Sequence, residues 1–394
     1  MKTFASLLAP LTSAEFFADY WGRNFLRKSG PADRFASLMT WDDLNGILAS
    51  QMARVRLAKD GALVPPDRYY DERLRDGKGL NSAALAEELR QGATLIVDGI
   101  DDVHPPIRRL ATELERESGE SVLVNLYAGW GDSKGFDLHW DDHDVIVIQI
   151  LGRKAWQVRG VSRRFPVQRD REANRQFSPP QPVLWEGHLE AGDFLYLPRG
   201  WWHAASAVAE PTLHLTISIT KRNGLDFMKW LAESLIEEEA FREDIPDLVE
   251  PMKRREHFER LRTALVRHFD EERLEQFLQE TRSAAPALSH FALPWHATAE
   301  VIPPGTALRI ISLLPRSPRV TIGKEPDTIE FSAVGHDFQF PTLVQPVLEK
   351  IFASHVIPFA DLKAHLGADT PDENLRSLLI ILARKRLIVV EPMP

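Results

Sequence analysis

The pattern of apolar and polar positions divides the chain into regions that predict different secondary structure. Residues 1–120 mix helical periodicity with short apolar runs, and residues 121–222 carry closely spaced β-branched runs typical of strands. From residue 223 apolar residues recur with a period near 3.6, and from residue 291 short strands and helices alternate. We therefore predict an α+β protein with three domains, at 1–222, 223–290 and 291–394.

Two segments of the strand-rich region carry side chains suited to binding a metal. The segment that runs into the β-branched series 145–150 predicts a strand, on which His139 and Asp141 would point to the same face. A second short strand at 194–197 is followed by a Pro-Arg-Gly turn and then by His203. Two imidazoles and one carboxylate are the ligands of the facial triad that binds Fe(II) and leaves other positions open.

A histidine and an aspartate two residues apart are weak support by themselves, because a chain with 13 histidines can produce such a pair by chance. The later histidine strengthens the prediction, since an antiparallel barrel can bring distant strands to one metal. Other ligand candidates, Asp137 among them, lie nearby. Strand alternation places Asp142 and Asp144 on the face opposite Asp141, and we interpret His143 as a flanking residue.

Five blocks in this region resemble the JmjC-type oxygenases of the cupin superfamily, specifically the ribosomal oxygenases. The blocks lie at 125–127, 139–149, 152–156, 192–203 and 213–218, and their order and spacing are similar to those of the family. The resemblance implies a catalytic domain with the double-stranded β-helix, or cupin/JmjC jelly-roll, fold. It also implies a helical dimerisation region and a C-terminal winged-helix domain.

The resemblance also implies roles for single residues. It makes His139, Asp141 and His203 the iron ligands and catalytic residues, and it places Lys154 at the distal carboxylate of 2-oxoglutarate. The polar positions that match the same cosubstrate pocket are Asn125, Tyr127, Thr216 and Ser218. A buried dicarboxylate needs a cationic partner, and strand alternation cannot turn both Lys154 and Arg153 inward.

The function implied is that of an Fe(II)- and 2-oxoglutarate-dependent dioxygenase, which uses O2 to hydroxylate an Arg or His side chain of a ribosomal protein. Arginine-hydroxylating bacterial members carry Arg at the position of Lys154, and histidine-hydroxylating eukaryotic members carry Lys, so the target residue stays open. Two alternatives belong to other classes: a cupin metalloenzyme such as a Mn or Zn isomerase, and a non-catalytic binding module. All three ligands are present, which argues against the binding module.

The composition adds limits to this picture. The chain has 394 residues, a formal net charge of −9 and no cysteine. The lack of cysteine excludes disulfides, thiolate catalysis and cysteine-ligated zinc. The negative charge argues against indiscriminate nucleic-acid binding. No run of about eighteen apolar residues occurs, so we predict no transmembrane helix. We expect a cytoplasmic enzyme without a membrane partner.

The last two predicted domains suggest assembly roles. Apolar residues at helical spacing between 225 and 269 predict either core packing or a subunit contact, and the resemblance makes a homodimer the default expectation. The last fifty residues predict three helices and a strand, the order of a winged helix. Residues 341–394 contain six basic and six acidic residues, and the trio 384–386 lies at a helix end. This distribution argues against direct DNA binding and favours a protein contact.

Overall fold

The computed structural model of the protein describes residues 4–71, 79–131, 136–172, 177–246, 251–366 and 371–393. It divides the chain into two compact units, Met1–Lys221 and Arg222–Pro394. Within these described ranges, no helix combines the length and the apolar character needed to cross a bilayer.

The first unit begins with helices and short strands and continues into long antiparallel strands. Its helices are α1 (Phe4–Leu8), α2 (Ser13–Asp19), α3 (Trp41–Ser50), α4 (Ser82–Arg90), α5 (Ile100–Val103), α6 (Pro105–Ser118) and α7 (Gln168–Glu172). Its strands are β1 (Leu26–Lys28), β2 (Arg54–Lys59), β3 (Ala62–Leu63), β4 (Tyr70–Asp71), β5 (Gly79–Leu80), β6 (Thr94–Asp98), β7 (Ser121–Gly129), β8 (Asp144–Leu151), β9 (Arg153–Val161), β10 (Val183–Glu190), β11 (Phe194–Leu197), β12 (Trp201–Ala207) and β13 (Thr212–Thr220). A Thr12–Glu15 capping box begins α2.

Two antiparallel sheets form the core of this unit. The larger has eight strands in the order β1-β11-β8-β13-β7-β6-β2-β3, and the smaller has the order β10-β9-β12. Successive side chains of β8 alternate between two apolar clusters. Val145 and Val147 pack with residues of the small sheet, whereas Ile146 and Ile148 pack on the side covered by the N-terminal helices. Burial on both faces explains why β8 is apolar at consecutive positions.

The strand predicted to include His139 and Asp141 is shorter than expected. β8 begins only at Asp144, and His139 forms an isolated bridge with His203 instead of lying on a continuous strand. Apart from the buried Trp140, the residues between His139 and Asp144 are polar and lie outside the sheet, whereas the β-branched series starts at Val145. The pairing of the first two ligands therefore does not come from regular strand alternation.

The second unit contains helices and two small sheets. Its helices are α8 (Gly224–Ser234), α9 (Glu239–Arg242), α10 (Pro251–His268), α11 (Glu271–Ser283), α12 (Gln345–Ala353), α13 (Phe359–Leu366) and α14 (Asp372–Arg384). Its strands are β14 (Leu308–Ser312), β15 (Thr321–Ile322), β16 (Thr328–Ala333), β17 (His336–Pro341), β18 (Val356–Pro358) and β19 (Ile388–Pro392). Both sheets are antiparallel, in the orders β18-β14-β19 and β15-β16-β17.

The apolar stripe predicted along 258–269 is only partly buried within its own chain. Leu265 packs against a cluster formed by Phe227, Leu231 and Phe277. Phe258, in contrast, is 59% exposed. Core packing within the subunit therefore accounts for one part of the stripe and leaves the other part at the surface.

Candidate metal centre

Backbone hydrogen bonds bring two distant segments together in the first unit. The amide of His139 donates to the carbonyl of His203 at 3.1 Å, and the amide of His203 donates back at 2.7 Å. The amide of Gly200 also donates to the carbonyl of Asp141 at 2.8 Å. Gly200 has φ +83°, and a Cβ there would lie 2.8 Å from the carbonyl oxygen of Arg163, so the turn before His203 requires glycine.

These contacts place the three predicted ligands side by side. One ligand atom from each of His139, Asp141 and His203 lies within 4.8 Å of the other two. The Nε2 atom of His203 is 3.5 Å from Oδ2 of Asp141. This spacing suits one small metal ion held between two imidazoles and a carboxylate.

Hydrogen bonds orient both imidazoles for metal binding, and burial acts in addition on His203. Nδ1 of His139 lies 2.7 Å from the carbonyl oxygen of Asp137, and Nδ1 of His203 lies 3.0 Å from that of Trp201. Because a carbonyl only accepts, each Nδ1 carries the proton and each Nε2 keeps its lone pair for a metal. Burial, followed by the neighbouring His139, lowers the pKa of His203 to about 4. His203 is therefore neutral at physiological pH, as a metal ligand must be.

The other candidate ligands near this centre lie outside the cluster. Asp142 and His143 contact each other at 3.1 Å between Oδ1 and Nδ1. Asp137 packs at the tip of the β2–β3 hairpin, where a Cβ on Gly61 would lie 2.6 Å from its Oδ2. Asp144 is fully buried and contacts Nζ of Lys221 at 2.6 Å.

A small inner pocket of about 70 Å³ adjoins the three ligands. Lys154 lines it and is 4% exposed, whereas its neighbour Arg153 is half exposed and pairs with Glu210. Strand alternation thus turns Lys154 inward and Arg153 outward. Burial lowers the pKa of Lys154 to about 8. Lys154 therefore remains largely charged at neutral pH and would favour an anionic ligand.

The inner pocket contains polar side chains of the predicted cosubstrate set. Tyr127 and Thr216 line it, and they also line an open outer cleft of about 1150 Å³. Asn125 and Ser218 line only the outer cleft, and the Asn125 side chain accepts a hydrogen bond from the Gly99 amide at 3.0 Å. Burial and then the Asp141 carboxylate raise the pKa of Tyr127 to about 12, so its hydroxyl stays protonated.

Two further residues of the inner pocket were not predicted as site residues. His214 and Trp156 both line it and are almost fully buried. The His214 ring stacks on Tyr127, with centroids 5.1 Å apart and planes 7° from parallel. Strand alternation could have identified both residues. His214 is two residues from Thr216 and Trp156 is two residues from Lys154, so each shares a strand face with a predicted site residue.

Comparisons with known proteins agree with this architecture. Residues 102–227 match the JmjC domain family. Ribosomal oxygenase 1 of Rattus norvegicus is 28% identical over 320 residues, which cover 76% of this chain and 50% of the rat protein. The bifunctional lysine-specific demethylase and histidyl-hydroxylase NO66 of Drosophila persimilis is 26% identical over 224 residues, covering 55% of this chain and 31% of the fly protein. The chain thus spans half or less of the length of these two relatives.

Solved structures share the fold. The Escherichia coli ribosomal oxygenase YcfD aligns with a TM-score of 0.60 at 18% identity, covering 97% of this chain and 98% of YcfD. A structure of YcfD in complex with cobalt and 2-oxoglutarate aligns with a TM-score of 0.59 at 17% identity, covering 96% of this chain and 98% of that one. The antiparallel sheets and surrounding helices therefore form a JmjC/cupin-type fold. Residues 102–227 thus form a JmjC domain, and the proteins that the chain resembles in sequence and in fold include ribosomal oxygenases.

Proposed function

We propose that the protein is an Fe(II)- and 2-oxoglutarate-dependent dioxygenase that hydroxylates an Arg or His side chain of a ribosomal protein. The observation that carries the proposal is the convergence of His139, Asp141 and His203 beside a pocket containing the buried Lys154. The names of the relatives, a ribosomal oxygenase and a histidyl-hydroxylase, support the reaction class. The complex of YcfD with cobalt and 2-oxoglutarate supports the cofactor and cosubstrate.

The donor set fits Fe(II). Both imidazoles use Nδ1 in a hydrogen bond and keep Nε2 for a metal, and one carboxylate completes a triad that leaves the remaining coordination positions free for other molecules. When bound, iron supplies the oxidative chemistry in which 2-oxoglutarate is decarboxylated to succinate and O2 is used to hydroxylate an unactivated carbon. The protein contributes the fixed positions of these ligands and a pocket that limits access of water.

The inner pocket fits the cosubstrate. Lys154 would bind the distal carboxylate of 2-oxoglutarate through charge-assisted hydrogen bonds. Tyr127 and Thr216 offer hydroxyl donors in the same pocket. Asn125 and Ser218, which line the adjoining cleft, are proposed as further cosubstrate residues.

The outer cleft is the proposed binding site for the protein substrate. It is open, it has a volume of about 1150 Å³, and His139 and Asp141 are among the residues that line it. A chain with a net charge of −9 would attract a basic ribosomal protein. The wall of the cleft contains a close Arg56–Asp98 ion pair, with Nη2 and Oδ1 at 2.6 Å. Hydroxylation of a protruding Arg or His side chain would need no unfolding of the enzyme.

We also propose assembly roles for the rest of the chain. Residues 1–222 would be the catalytic domain, 223–290 a helical dimerisation domain and 291–394 a winged-helix-like domain. The homodimer proposal is supported by an apolar depression of about 590 Å³ that includes Phe227, Phe269 and Phe277. The cytoplasmic location stays a prediction from the sequence.

The test of the reaction class is cosubstrate turnover with different metals. The purified protein should form succinate from 2-oxoglutarate in the presence of Fe(II), and replacement of Fe(II) by Mn(II) or Zn(II) should not support this reaction. Metal-dependent activity of another kind, without succinate, would favour the alternative of a different cupin metalloenzyme. Metal binding with no turnover of any kind would favour a binding module.

A further inference from the structure

The inner pocket contains more hydrogen-bond donors than the predicted cosubstrate residues provide. Three nearly buried side chains, Lys154, Trp156 and His214, line it, and each is 5% exposed or less. Nδ1 of His214 and Nε1 of Trp156 have no hydrogen-bond partner within the described part of the chain. Buried polar groups are normally paired, so unpaired ones that line a cavity indicate a ligand that completes them.

The geometry of His214 suits a role beside Lys154. β13 pairs with β7 so that His214 lies opposite Tyr127, and the two rings stack 5.1 Å apart. The Trp156 ring meets His214 edge-on, with centroids 5.9 Å apart and planes at 78°. Two aromatic neighbours therefore fix the orientation of the imidazole, and a fixed donor loses little entropy when a ligand binds.

The electrostatic surroundings of His214 favour a neutral ring. Burial and then the nearby Lys154 lower the pKa of His214 well below its usual value. A neutral imidazole beside a lysine offers one N–H donor without adding a second positive charge. One cation and one neutral donor can together satisfy the two oxygens of a carboxylate.

We propose that His214 binds the distal carboxylate of 2-oxoglutarate together with Lys154 and so makes the pocket selective for a dicarboxylate 2-oxo acid. This inference rests on the proposed function. It assigns to His214 a binding role in addition to its packing against Tyr127. If His214 has this binding role, its replacement should lower the affinity for 2-oxoglutarate more than the affinity for an anion without a distal carboxylate. A purely structural role predicts no such difference.

The test compares two anions on the metal-loaded full-length protein. 2-Oxoglutarate has a distal carboxylate, whereas oxalate can only bind near the metal. His214→Phe keeps a flat ring against Tyr127 but removes the donor. It should weaken 2-oxoglutarate binding by about tenfold or more, because a charged acceptor would lose a partner. Oxalate binding should change by less than about threefold, within the usual spread for a residue that does not contact the ligand.

Two further variants sharpen the comparison. His214→Gln keeps an amide donor without the ring and should recover most of the 2-oxoglutarate affinity. His188→Phe changes an exposed histidine on β10 of the same unit and should leave both affinities unchanged. Equal losses for both anions in His214→Phe, or unchanged 2-oxoglutarate binding, would overturn the proposal.

A second measurement needs no variant. In the wild-type protein loaded with diamagnetic Zn(II), the ring nitrogen resonances of His214 should shift on addition of 2-oxoglutarate and stay in place on addition of oxalate. If 2-oxoglutarate binds without moving them, His214 does not contact it. If the wild-type protein binds oxalate but not 2-oxoglutarate, the proposed function itself fails.

Discussion

Lys154 is the residue that best separates an oxygenase from other cupin metalloenzymes, because a cationic partner in the inner pocket serves a dicarboxylate. Removal of the charge by Lys154→Ala would leave that carboxylate buried and unpaired, at a cost of about 3–5 kcal/mol. We expect 2-oxoglutarate binding to weaken by on the order of a hundredfold or more, with little change in metal affinity. Titration of 2-oxoglutarate by calorimetry measures this loss.

Two variants serve as controls for Lys154→Ala. Lys154→Arg should retain part of the affinity, limited by the shape of the guanidinium. Arg153→Ala should be mild, because Arg153 faces outward and pairs with Glu210. The cosubstrate assignment would have to be abandoned if none of the three variants altered binding.

The lowered pKa of Lys154 predicts the pH dependence of cosubstrate binding. Burial lowers its pKa to about 8, so the side chain is charged below that pH and loses its proton above it. Below pH 8 the affinity for 2-oxoglutarate should not depend on this group. Above it, binding must take up a proton, and the dissociation constant should rise by up to about tenfold per pH unit. Calorimetry from roughly pH 7 to roughly pH 10 covers this range.

Lys154→Arg provides the control for the pH profile, because a guanidinium keeps its charge throughout. Its dissociation constant for 2-oxoglutarate should stay nearly flat above pH 8. An equal rise in the wild type and in Lys154→Arg would assign the titration to a group other than Lys154.

The closeness of His139, Asp141 and His203 could be predicted from the motifs that contain them, although the strand predicted through His139 does not form. The orientation of Lys154 could be predicted from strand alternation. His139 and Asp141 are two residues apart, and the adjacent residues Arg153 and Lys154 point to opposite faces of one strand. The position of His214 in the pocket could not be predicted from the sequence, because its contacts with Tyr127 and Trp156 depend on pairing between distant strands. Tertiary structure also decides that Thr216 lines the inner pocket whereas Asn125 lines only the outer cleft.

At the scale of elements, sequence patterns predicted strands well where burial was uniform. β11 covers Phe194–Leu197 as predicted, because four buried apolar residues end at a proline. The prediction of a strand through His139 was wrong. A hydrogen bond between Asp141 and the turn at Gly200 holds this segment outside the regular β-sheet pairing. Such contacts between a loop and a turn leave no periodic signal in the sequence.

Replacement of glycine by alanine should change the free energy of unfolding in opposite directions at Gly152 and at Gly46. Gly152 joins β8 to β9 with φ +62°, and a Cβ there would lie 2.2 Å from the carbonyl oxygen of Pro211. Gly152→Ala should therefore lower the free energy of unfolding by more than about 1 kcal/mol. Urea unfolding followed by circular dichroism measures the change.

Gly46 is the matched control. It lies within α3, and a Cβ there would meet nothing within 4 Å. Gly46→Ala should raise the free energy of unfolding by about 0.5–1 kcal/mol, because alanine favours the helix. If Gly152→Ala proved as stable as the wild type, the close approach of the β8–β9 turn to Pro211 would be incorrect.

At the scale of the whole molecule, we predict a homodimer formed through the helices of residues 223–290. Phe258 is 59% exposed and Val266 is 67% exposed on α10, which is unfavourable for a surface that stays in water. Light scattering at micromolar concentration should report twice the mass of the chain. Phe258→Asp should shift the protein toward the monomer, because association would bury its charge.

Ile322→Asp is the control for this shift. Ile322 is 91% exposed on β15, outside the helical region, so its change should leave the mass unaffected. A wild-type protein that is monomeric at micromolar concentration would reject the dimer. The helical periodicity predicted this apolar surface, but the sequence could not distinguish core packing from a subunit contact, because both produce the same stripe.

The proposed function is tested most directly by mass spectrometry of ribosomal proteins after incubation of purified ribosomes with the enzyme, Fe(II) and 2-oxoglutarate. The wild-type protein should add the mass of one oxygen atom to an Arg or His residue of one ribosomal protein. His203→Ala, which removes a proposed metal ligand, should add none while remaining folded. Unmodified ribosomal proteins with the wild type, or equal modification with His203→Ala, would contradict the proposed function.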